Sequence, residues 1–126
     1  MAKKTKEHGN PLEYRYYNVI DHEFIYSSNY DCLFDFFGDY EFYISEYKVE
    51  ANLERATGKK DKNGVMIYEG DRVRCGNIER DIVGPVRYSN VLQAFVVELG
   101  TVAVRPLLTF SKFEVVGDIH TGGDNA

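Results

Sequence analysis

The chain has 126 residues and a formal net charge of −5, enough length for one packed domain and the wrong sign for a general nucleic-acid binder. Its two cysteines, Cys32 and Cys75, are too few for a stapled secreted scaffold and lack nearby Cys/His partners for a zinc site, so they read as reduced cytosolic thiols. No apolar run approaches the ~20 residues of a membrane-crossing helix, and a soluble protein of the cytoplasm, without a membrane partner, is expected.

Residues 1–10 are polar and carry Lys3, Lys4 and Lys6 ahead of Pro11, a pattern that predicts a disordered arm. Leu12 to Ile20, rich in Tyr and β-branched residues, predicts a strand. Asp21-His22-Glu23 turns the chain into a second strand, Phe24-Ile25-Tyr26, and Ser27-Ser28-Asn29 closes the hairpin. Asp31 to Gly38 reads either as a helical turn, with Asp31 near its start and Gly38 as its stop, or as an irregular aromatic loop. The Tyr, Phe and Ile content of Asp39 to Val49 predicts a strand, whereas Glu50 to Ala56 has helical propensity over too short a span.

Thr57 to Val73 reads TGKKDKNGVMIYEGDRV, an apolar strand between two turn signals. Asn63-Gly64 predicts a tight turn with φ > 0 at both central positions, and Gly70-Asp71 a second turn with the glycine left-handed. Beyond it Val73 and Cys75 share one face and Arg72 and Arg74 the other. This run resembles the signature of the YopX family of phage and prophage proteins, approximately TGLKDKNGxxIYEGDIV. Thr57, Gly58, Lys60, Asp61, Lys62, Asn63, Gly64, Ile67, Tyr68, Glu69, Gly70, Asp71 and Val73 match it. Lys59 stands where that family usually has Leu, and Arg72 where it often has Ile. Phe113 to Ile119, reading FEVVGDI, is similar to the family's closing FEVIGNIY segment. The resemblance implies that the end of Glu50–Ala56 is strand entering the hairpin; it lends a fold and a phage context but does not indicate an activity.

Downstream, Ile78 to Asp81 predicts a loop, and Ile82 to Tyr88 a strand interrupted at Gly84-Pro85, hence at a sheet edge or bulged. Ser89-Asn90 turns into Phe95 to Leu99, Gly100 ends that strand, and Val102 and Val104 continue the alternation to Pro106. Leu107 to Phe110 predicts one helical turn before the last strand, Phe113 to Ile119, and residues 120–126 a disordered tail. The predicted fold is mainly β, a β-rich α+β domain over 11–119: an acidic, aromatic β layer at 11–56 followed by a small SH3-like barrel at 57–119.

Between Glu7 and Ala56 eleven acids face three bases, while nine of each follow Thr57. Among the acids the apolar cluster Tyr30, Leu33, Phe34, Phe36, Phe37, Phe42 and Ile44 exceeds what a small core absorbs, and predicts a protein interface with the chain itself, or with a host or phage protein. The first functional expectation is therefore a phage- or prophage-encoded accessory protein, non-catalytic and working by interaction or oligomerisation in a bacterial host. The alternative is nucleic-acid binding by the basic rim Lys59, Lys60, Lys62, Arg72 and Arg74. A weaker one is an enzyme using Asp61, Glu69 or Asp71, although turns recruit such carboxylates for backbone hydrogen bonds. His8, His22 and His120 are dispersed, and Gly58, Gly64 and Gly70 lack the strand-to-helix setting of a phosphate loop, so neither a metal nor another cofactor is expected.

Overall fold

The computed structural model describes residues 12–76, 81–99, 103–107 and 112–121, within a chain that divides into two compact units, 1–56 and 57–126. The architecture is mainly β, with two antiparallel sheets and one α-helix among the described residues. The expected arm (1–10), residues 78–80 of the expected loop, Gly100, Val102, Leu108 to Phe110 and the tail from Gly122 lie outside the described residues.

In the first unit, β1 (Tyr14–Asn18) and β2 (Glu23–Tyr26) form the hairpin expected from the sequence, Arg15 opposite Tyr26 and Asn18 opposite Glu23. Asn18 shapes its turn: Oδ1 accepts the backbone N–H of Ile20 at 2.8 Å and of Asp21 at 3.0 Å. A short 3-10 turn, Ser27–Asn29, leads to α1, Leu33–Tyr47. This helix overturns two expectations, since Asp39–Val49 is helical to Tyr47 rather than strand, and Gly38 lies within a helix rather than ending one. The physical reason is spacing. Phe36, Tyr40, Tyr43 and Tyr47 recur at intervals of four, three and four, placing their rings on one helical stripe, and the burial of Phe36 and Tyr43, with Tyr40 half-buried beside them, outweighs the strand preference of the individual residues. Lys48, at φ 55°, supplies the left-handed end that a glycine more often provides.

Phe36, Tyr43 and Tyr16 form the buried centre of this unit, with Tyr14, Ile25, Phe37 and Ile44 packed around them. Tyr16 stacks on Tyr43 at 5.4 Å between ring centroids and meets Phe36 at 5.7 Å. Two of the tyrosine hydroxyls are partnered inside the unit: Tyr43 accepts the Val19 N–H at 2.9 Å and Tyr40 donates to the Ala51 carbonyl at 2.6 Å. β3 (Glu54–Lys60) starts here, its Glu54 opposite Arg15 and Arg55 opposite Tyr14, so the end of Glu50–Ala56 is strand. Arg15 and Glu54 are buried, 2.8 Å apart, and the Arg15 guanidinium lies 4.0 Å from the Phe24 ring centroid.

In the second unit the remainder of β3 neighbours β4 (Met66–Tyr68), and a short loop carrying Asn63-Gly64 joins them. Only Gly64 takes positive φ, 82°; Asn63 does not, which corrects the turn type expected from Asn-Gly. The Gly64 N–H donates to the Asp61 carbonyl at 3.0 Å and the Asp61 N–H to the Val65 carbonyl at 2.7 Å, a type I turn followed by a left-handed glycine. β5 (Asp71–Gly76) follows the second expected turn, where Gly70 has φ 90°, and alternates as predicted, Val73 and Cys75 inward and Arg74 outward.

β6 (Asp81–Ser89), β7 (Ala94–Leu99), β8 (Ala103–Pro106) and β9 (Lys112–Asp118) complete a five-stranded antiparallel sheet of order β8-β7-β6-β5-β9, curled into a half-barrel. Asp81, expected to end a loop, instead opens β6, paired with Gly76. Closure into the expected SH3-like barrel is not shown by the described residues. Pro85 is not on an edge strand: β6 pairs through Asp81–Pro85 with β5 and through Val86–Ser89 with β7. The missing N–H falls where the ladder passes from one neighbour to the other, so neither run of hydrogen bonds is interrupted. A Cβ on Gly84 would lie 2.1 Å from the Glu98 carbonyl oxygen, so the approach of β7 requires glycine there. Ile67, Val73, Cys75, Val86, Val97, Leu107 and Phe113 fill the hollow of the sheet.

Candidate functional site

The helix α1 sorts the cluster predicted as an interface into three groups. Phe36 is fully buried, and Tyr30, Phe37 and Ile44 are partly buried against the same core. Leu33 is exposed, and Phe34 and Phe42 far more so, at 83% and 62%. At 100° per residue Phe34 and Phe42 fall about 80° apart on the outer side, roughly opposite Phe36 and Tyr43. Gly38 and Ser45 lie between them, with Glu41 on one flank and Asp35, Asp39 and Glu46 on the other, all exposed. No basic residue occurs from Leu33 to Tyr47. The outer face of α1 is thus two aromatic side chains set among four carboxylates.

Asp39 also anchors the approach to the helix, accepting the Tyr30 hydroxyl at 2.7 Å. Burial, reinforced by that bond and by the Asp39 charge, raises the pKa of Tyr30. Burial likewise pushes Tyr16 up to about 12, with Asp39 adding to the shift. Tyr40 is raised by burial and by Glu41.

The predicted basic rim is brought together only in part. Lys60, Lys62 and Arg74 are exposed, Lys59 and Arg72 half-buried. Glu114 of β9 takes Arg74 at 3.2 Å and Lys62 at 3.7 Å, so one carboxylate offsets two of the five cations. Sequence reasoning missed Glu114. Its signal is the register that sets Arg74 opposite Glu114, and a pairing across 40 residues leaves no local trace.

The turn carboxylates hold backbone. Buried Asp61 accepts the N–H of Asn63 and of Val65 on Oδ1, at 2.8 and 2.9 Å, and that of Val115 on Oδ2 at 3.0 Å. Asp71, also buried, accepts the Tyr68 N–H at 2.8 Å. Glu69 is half-buried in the turn between them. The described residues contain no group of three or more His, Cys, Asp and Glu placed to hold a metal ion. Cys32 is exposed and Cys75 buried, both free; burial raises the Cys75 thiol to about 11 against the lowering influence of Arg105. No helix among the described residues is long and apolar enough to cross a membrane.

No curated protein matches the chain. The family model described as YopX protein matches residues 10–123, spanning both units and including the signature turns at Gly64 and Gly70. The chain therefore belongs to the YopX protein family.

Proposed function

We propose that this chain is a phage- or prophage-encoded accessory protein acting in the cytoplasm of a bacterial host, a non-catalytic module that docks on a basic partner protein through the outer face of α1. The observation that carries this reading is the exposure of Phe34 and Phe42 within a helix that has four outward carboxylates and no base. Exposed aromatic side chains within a polar rim suit protein recognition, and the uniform sign favours a partner of opposite charge. Against a second copy of the same face, the acids would meet acids, so the self-association expected from the apolar content is the less favoured form. We read the second unit as SH3-like, since its five-stranded meander returns its last strand beside its first, as a small barrel requires. With Lys62 and Arg74 both drawn to Glu114, nucleic-acid binding by the rim is the weaker reading.

Wild type and the Phe34→Asp/Phe42→Asp double variant, used as baits against host lysate, test the proposal. We expect a specific basic protein retained by wild type, lost from the variant and released by raised salt, with unchanged far-ultraviolet circular dichroism. Equal retention by both baits, or an oligomer in light scattering that persists in the double variant, would overturn it.

A further inference from the structure

A second feature lies wholly within the second unit and is independent of α1. Thr57 and Lys59 of β3, Gln93 just before β7 with Ala94 and Phe95 of that strand, and Pro106 of β8 with the following Leu107 line a partly open cavity of about 260 Å³. Its walls are largely the apolar Ala94, Phe95, Pro106 and Leu107. Among the described residues Lys59 is the one charged residue lining it, and no carboxylate does. The Lys59 ammonium, 5.6 Å from the Phe113 ring centroid, has no carboxylate partner among the described residues, unlike Lys62 and Arg74. Thr57 and Gln93 add polar groups to the lining, and Gln93 is fixed by its φ of 55° and by its Nε2 donating to the Asn90 carbonyl at 2.7 Å.

Size and charge together select the occupant. An apolar cavity of ~150 Å³ accepts benzene, so this one holds a ring with a short tail, smaller than a drug-sized ligand. A cation without a carboxylate partner among the described residues, in a mostly apolar lining, favours a ligand that brings one negative charge, because partial desolvation strengthens the pairing. We propose that the cavity binds a small apolar carboxylate, an aryl or branched alkyl group carrying a single acid. That chemistry occurs both in free organic acids and at the C-terminus of a peptide ending in an apolar residue.

The test is a titration of the intact, isotope-labelled chain followed by amide chemical shifts, with 3-phenylpropanoate, its neutral amide, and a short peptide ending in phenylalanine with a free carboxylate. Saturable shifts at Ala94, Phe95 and Leu107 are expected, with the acid bound about tenfold more tightly than the amide. Lys59→Met should reduce that preference to about twofold or less while leaving amide binding intact, and Ala94→Phe should abolish both by filling the space. Tighter binding of the peptide than of the free acid assigns the site to polypeptide termini; the reverse assigns it to small acids. Absence of saturable shifts up to about 10 mM, equal binding of acid and amide to wild type, or a preference that survives Lys59→Met would overturn the proposal.

Discussion

Asp61 directs both carboxylate oxygens to backbone N–H groups, two in its own loop and one on β9. Removing a charged acceptor strands three donors in a buried place. Asp61→Ala is therefore expected to cost about 2–4 kcal/mol in urea unfolding, and Asp61→Asn, which keeps one good acceptor, distinctly less. Equal losses for the two would show that the one oxygen retained by Asn contributes nothing and that the charge and second oxygen carry the whole effect. Two glycines separate in the same way. Gly64→Ala meets no atom within 4 Å and carries only the strain of φ 82°, about 1 kcal/mol. Gly84→Ala, at an ordinary φ, drives a methyl group into the Glu98 carbonyl and is expected to lower the melting temperature far more; the reverse ranking would sink the close-approach explanation.

Among the elements, strands were legible where polar and apolar residues alternate against a turn, as in Asp71–Gly76, and where a glycine is needed, as at Gly64 and Gly70. α1 was hidden because its residues favour strands one by one while their spacing favours a helix, and only the packing of Phe36 and Tyr43 on Tyr16 decides between them. Glycine in the exposed middle of this helix is an intrinsic weakness. Gly38 has open space where a Cβ would go, so Gly38→Ala is expected to stabilise the chain by about 0.5–1 kcal/mol; destabilisation would mean that the glycine serves a contact. The candidate interface was legible as composition, but its division into buried Phe36 and exposed Phe34 and Phe42 was not, because that follows from the helix. Cross-strand partners such as Glu114 and Val115 depend on register and leave no local mark.

For the whole molecule, the raised tyrosines fix how alkali acts. Tyr16, at about 12 when folded against an ordinary 10.0, contributes stability that is fully present below pH 10 and lost as pH rises towards 12; Tyr30 shifts in the same direction. Absorbance at 295 nm should rise in two stages, the later one accompanied by loss of circular dichroism. A single rise near pH 10 with the spectrum intact would contradict the burial of this ring cluster.

β5 receives its second neighbour only from β9, the last strand among the described residues, and Asp61 receives its third donor from the same segment. On the ribosome, β5 to β8 emerge before β9, so for the interval of its own synthesis β5 is an open edge, a template for pairing with another nascent chain. A chain ending at residue 111 freezes that interval. It is expected to scatter light and sediment at concentrations where the full chain stays clear, and a synthetic peptide of residues 112–121 supplied in trans should suppress this by occupying the edge. A truncated chain that remains monomeric and melts like the full one would show that β9 adds no protection. β9 would thus serve as the protein's own guard against aggregation, absent only while the chain is being made.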